Sequence, residues 1–108
     1  MNVLSQTALP AAVITNAYTT IGFQTVTGFI LCNRANTQVT FRISLAPLGA
    51  ADGQQQYIFF DTPILPNDTF ITALEIELVP GDIIRAFASN ENLSLTILGN
   101  LTFMVKSA

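Results

Sequence analysis

Any reaction chemistry in this chain has to come from carboxylates. The sequence holds no histidine and a single cysteine, Cys32, among 108 residues. Nucleophilic triads and dyads need a histidine to carry the proton, and zinc sites are assembled from several Cys and His. One thiol cannot form a disulfide within the chain. Cys32 lies in an apolar run and reads as a small buried hydrophobe. The six glycines stand singly, so no phosphate-cradling loop is written into the sequence.

The carboxylates have plain readings. Asp52, Asp61, Asp68 and Asp82 fall in stretches rich in Gly, Pro and Asn, where aspartate hydrogen-bonds nearby backbone and fixes a turn. Glu75 and Glu77 are two apart on an expected strand, so they share a face about 6.5–7 Å apart. A glycosidase needs two carboxylates flanking a cleft, but a solvated strand face accounts for this pair. A calcium site built on Asp61 and Asp68 lacks an acidic cluster. Tyr18 and Tyr57 are the candidates for stacking on a sugar, both near core positions, and the chain has no tryptophan. These readings predict a protein that is not an enzyme and carries no cofactor or metal.

The elements that would position such residues have a period of two. In Val39-Thr40-Phe41-Arg42-Ile43-Ser44-Leu45 the odd positions are apolar and the even ones polar, the pattern of a strand with one buried face. Leu93, Leu95, Ile97, Leu101, Phe103 and Val105 share one parity across Gly99, so Gly99-Asn100 marks a bend or bulge rather than a hairpin. Further strands are expected over 23–32, 57–60, 70–79 and 83–88, with one or two more in 11–20. Val79-Pro80-Gly81-Asp82 fits a type II turn. Asn33-Arg34-Ala35-Asn36 and Ser89-Asn90-Glu91-Asn92 read as hairpin loops, and 46–56 and 61–69 as longer polar loops. Seven or eight short strands at this spacing predict an all-β, single-domain antiparallel β-sandwich of jelly-roll type, occupying 11–108 behind an extended N-terminal arm at 1–10.

Composition points to assembly. Half the residues are apolar, and four basic plus seven acidic residues make only eleven charges, against roughly 27 in an average domain of this length. A monomer keeps itself soluble with a charged, patch-free surface, so part of this exterior is expected to lie against a partner. The partner is not nucleic acid: net charge is −3, and Arg34, Arg42, Arg85 and Lys106 form no basic cluster. No apolar run is long enough for a membrane helix, and the N-terminus lacks a signal-peptide pattern, which predicts synthesis in the cytoplasm. The candidate interface comprises Val3, Leu4 and Leu9 in the arm, with Arg34, Arg42 and Arg85 placed to pair across strands or subunits.

Three stretches carry a family likeness: Gly28-Phe29-Ile30-Leu31-Cys32-Asn33-Arg34-Ala35 with Thr40-Phe41-Arg42-Ile43; Tyr57-Ile58-Phe59-Phe60-Asp61-Thr62-Pro63-Ile64 with Pro66-Asn67-Asp68-Thr69; and Gly81-Asp82-Ile83-Ile84-Arg85-Ala86-Phe87-Ala88-Ser89. In order and spacing this resembles small β-sandwich virion proteins of tailed bacteriophages over about residues 20–99. The resemblance implies a structural part of a phage particle present in many copies, with no catalytic residues. Combined with small size and low charge, it gives the expectation of a capsid cement or decoration protein in the virion, a homotrimer bridging subunits of the major capsid protein. The alternative is a tail, baseplate or fibre module, with host carbohydrate recognition as one role.

Overall fold

A computed structural model describes residues 2–103, and Val105 and Lys106 lie outside the described residues. Eight strands are present: β1 (Asn2–Ala8), β2 (Thr15–Thr19), β3 (Phe23–Asn33), β4 (Val39–Ala46), β5 (Tyr57–Ile64), β6 (Thr69–Leu78), β7 (Ile83–Ala88) and β8 (Leu93–Phe103). They form two four-stranded antiparallel sheets, β1-β8-β3-β6 (the first sheet) and β2-β7-β4-β5 (the second). This is the order of an eight-stranded jelly roll. The alternating strands over 39–45 and from Leu93 onward, and the runs over 23–32, 70–79 and 83–88, all take the expected form.

Consecutive strands belong to different sheets except β4 and β5. The loops at 33–36 and 89–92 are therefore crossings between sheets, not the hairpins expected from their turn residues. The choice is made by pairing far along the chain: β3 bonds to β6 and β8, and β4 to β5 and β7. The 33–36 crossing is held by Asn33, whose fully buried Nδ2 donates to the carbonyls of Thr37, Ile64 and Leu65 at 2.9, 3.1 and 3.1 Å. Its Oδ1 accepts from the Ala35 N–H at 2.9 Å. One amide thus satisfies groups from two loops that would otherwise be stranded, each costing about 1–3 kcal/mol if buried unpaired.

Two other expectations change. The segment 1–10 is not a free arm: residues 2–8 pair with β8 as the edge of the first sheet, because Ser5, Thr7 and Leu9 continue the inward parity. The polar loop expected at 61–69 shrinks to 65–68, since β5 runs on through Asp61, Thr62, Pro63 and Ile64. Pro63 is tolerated because β5 is an edge strand with one side unpaired.

The core lies between the sheets. Phe29 and Phe41 are fully buried. They meet Phe59 and Phe70 with ring centroids 5.2–6.5 Å apart in edge and tilted arrangements, which adds specific aromatic attraction to area burial. Val26, Leu31, Leu93, Leu95 and Ile97 complete one inner face, and Val39, Ile43 and Ile84 the other.

The first sheet slips register at a level that runs across its width, and β3 and β8 slip again where Phe23–Gln24 faces Phe103–Leu101. Val3–Ser5 faces Leu98–Ile97, Val26–Gly28 faces Gly99–Leu98, and Val26–Gly28 faces Ile76–Ala73. The bulge expected near Gly99 is thus found on its partners, while β8 keeps its own parity. Gly99 is required there: a Cβ would stand 2.3 Å from the Thr25 carbonyl oxygen and 2.8 Å from Leu4 Cδ1. The turn at Val79–Asp82 forms as expected, with Gly81 at φ 98° and the Asp82 N–H donating to the Val79 carbonyl at 3.1 Å.

Candidate functional site

Arg42 sits at the centre of a polar and aromatic cluster on the outer face of the second sheet. Its cross-strand neighbour on β7 is Phe87. On β5 the register jumps from Phe41 opposite Thr62 to Ile43 opposite Phe59, so Phe60 and Asp61 together face Arg42. A bulge of this kind re-aims side chains. Phe60 turns outward while Phe59 stays in the core, and Asp61 adopts φ 49°, a left-handed conformation that aspartate accepts better than most residues.

The guanidinium is enclosed on three sides. Arg42 Nε donates to Asp61 Oδ1 at 2.6 Å and Nη2 to Oδ2 at 3.3 Å, a forked ion pair. Cζ lies 4.1 Å from the centroid of Phe60 and 4.7 Å from that of Phe87, both within cation–π range. Tyr57 stacks edge-on against Phe60 at 5.2 Å and directs its hydroxyl to Asp52 at 3.4 Å. Hydrogen bonding to Asp61 raises the Arg42 pKa. Burial, aided by the Asp52 charge, raises that of the Tyr57 phenol. What the cluster offers is an exposed aromatic surface, with Phe60 56% exposed.

The remaining carboxylates serve the backbone or face solvent. Asp68 accepts from the Thr69 N–H at 2.8 Å. Asp82 accepts from Leu48 at 2.8 Å and Val79 at 3.0 Å. Glu75 and Glu77 are exposed on β6. Among the described residues, no three of His, Cys, Asp and Glu come together. Cys32 is only half-buried, on the outward side of β3.

The expected interface residues scatter. Arg85 donates to Asn16 Oδ1 at 3.0 Å and to the Ala50 carbonyl at 2.8 Å, on the same face as Arg42. Arg34 donates to Ser94 Oγ at 2.9 Å, at one end of the first sheet. Leu9 is 1% exposed and Leu4 packs against the core, so Leu9 cannot serve an interface in the folded chain. Val3 is exposed.

Pattern reading missed the outer face of the first sheet. Register places three rows across it: Val3, Leu98, Gly28 and Ala73; Gln6, Thr96, Ile30 and Ile71; Ala8, Ser94, Cys32 and Thr69. None of the twelve is charged, and Ile71 is 70% exposed. The sequence held a signal for it, since β1, β3 and β8 contain no Asp, Glu, Lys or Arg. That these strands are neighbours was not visible. At ordinary strand and residue spacings the rows cover about 19 Å by 20 Å, on the order of 400 Å². No family model, curated protein or solved structure matches the chain.

Proposed function

We propose that this protein is a non-enzymatic structural component of a tailed-phage virion, a capsid cement or decoration protein that bridges subunits of the coat. The observation that carries the reading is the three uncharged rows on the outer face of the β1-β8-β3-β6 sheet, with Glu75 and Glu77 beyond them on β6. No charged residue stands in the rows, and the chain has few charges elsewhere to keep so much neutral surface in water. The jelly-roll winding supports it, as this architecture recurs in viral capsids, though lectins share it and fold alone does not assign function. So does the resemblance to small virion proteins over residues 20–99.

A single contact of this size is weak. About 400 Å² is half of what a standard interface buries per partner, and association itself has to be overcome. Repetition over a shell turns weak contacts into a durable one, because each coat subunit is held at several points at once. The test is add-back. Purified protein should bind particles that lack it, to a plateau of hundreds of copies, and raise the temperature at which the shell opens. Absence of binding overturns the reading.

The Arg42 platform favours a second reading, a tail or fibre module that touches a host glycan through Phe60 and Tyr57. Copy number separates the two, since a tail part follows the low rotational symmetry of the tail, about a dozen copies or fewer.

A further inference from the structure

We infer that the free edge of β1 pairs with β1 of a second copy, antiparallel and across a two-fold axis. In an antiparallel strand, alternate residues turn their N–H and C=O toward one neighbour and then the other. The Leu9 N–H donates to the Leu93 carbonyl at 3.0 Å. With the register of β1 on β8, Thr7 and Ser5 also face β8. Gln6 and Ala8 therefore aim their backbone groups at the open side, where no strand lies among the described residues.

The other three edges carry devices that discourage pairing, whereas the only one in β1 is the bulge at Val3–Ser5, which lies before Gln6 and Ala8. Unpaired edges are blunted by shortness, proline, bulges or charge. β2 has five residues. β5 has Pro63 and the bulge at Asp61. β6 has Glu75 and Glu77, which would meet like charges in a symmetric contact. β1 has seven residues with no proline and no charge. Beneath it the edge strand β2 is also uncharged, tied to β1 by the Ser5 hydroxyl donating to the Ala17 carbonyl at 2.9 Å. Charge gives this flank no reason to reject its own image.

A two-fold centred on Thr7 sets Gln6 of one copy against Ala8 of the other and the reverse, each pair exchanging two backbone hydrogen bonds. The contact is self-complementary and closes at two chains, in place of the trimer expected from the sequence. It also joins two first sheets into one, so the uncharged face doubles to about 800 Å², the area a standard interface buries per partner. That last consequence rests on the coat-binding proposal; the pairing does not.

Sedimentation equilibrium of the full chain, with no particles present, tests it. A dimer is expected. Gln6→Pro with Ala8→Pro removes the outward N–H donors of all four hydrogen bonds in the pairing, and should raise the dissociation constant at least about tenfold. Gln6→Glu with Ala8→Glu, a second route should proline perturb folding, sets carboxylates opposite one another and should do the same with an unchanged circular dichroism spectrum. A monomer at every concentration, a trimer, or a dimer that survives both variants overturns the inference. Amide exchange that slows at Gln6 and Ala8 only on the particle also overturns it, since a foreign strand then fills the edge. Particle add-back fails or succeeds separately.

Discussion

The two outer faces of this jelly roll handle polarity in opposite ways. On the β2-β7-β4-β5 side, a guanidinium is matched by its own carboxylate and flanked by two rings of the same chain. On the β1-β8-β3-β6 side, three rows carry no charge. Strands with the same alternation build both. The difference teaches that a charge count for a whole chain hides the useful quantity, which is where the few charges lie and whether their hydrogen bonds are already used.

The comparison can be broken most forcefully at matched small residues. Gly99→Ala puts a methyl group against backbone of the bulged level of the first sheet, and its stability in denaturant should fall by about 3 kcal/mol, the upper range for overpacking. Ser44→Ala in the second sheet removes a buried hydroxyl with no hydrogen-bond partner and should stay within about 0.5 kcal/mol or gain slightly. Equal losses would show that the two sheets are equally strained.

Binding should divide the same way. Leu98→Asp buries an unpaired carboxylate in the proposed coat contact and should weaken particle binding about 100-fold, whereas Arg42→Gln should change it less than about threefold. The reverse order in a pull-down would move the functional face to the Arg42 cluster.

Smaller effects sharpen the description of that cluster. Asp61→Ala loses a partly exposed ion pair and leaves alanine at positive φ, and thermal unfolding should register about 1–2 kcal/mol. Asp61→Gly loses the same pair but accepts the backbone, so it should cost less. An equal cost would mean that φ 49° at Asp61 stores no strain. Smallest is the titration of Tyr57. Its phenol keeps its proton to higher pH when folded, so its contribution is whole below the ordinary tyrosine value and declines as pH rises through the folded one. Phenolate absorbance should show a midpoint above that ordinary value, absent in Tyr57→Phe and lowered in Asp52→Asn.

What was legible in the sequence was local. Alternation at Val39–Leu45 named a strand because each residue reports its own burial, and Pro80-Gly81 named its turn because the torsions belong to those residues. Asn33–Asn36 failed because the same polar residues end a strand whether the next pairs beside it or crosses over. Asp61 and Pro63 disguised the second half of β5, as neither favours a strand interior; an edge position admits the proline and a bulge uses the aspartate. Arg42 was singled out, but its companions were not, since Phe60 and Phe87 lie on strands joined to it only by folding. The uncharged face was missed because no stretch of chain contains it.

The winding described above also sets a timetable for synthesis. Asn2 is paired with Gly99, and only β4 with β5 can close from neighbouring segments. A growing chain can make that one hairpin early, but β1 has no partner until β8 leaves the ribosome. Such long-range closure makes folding slow. A chain stopped before Leu93 would leave β1 and one side of β3 unmatched, so in a ribosome-stalled fragment lacking β8 protease should cut most readily within β1.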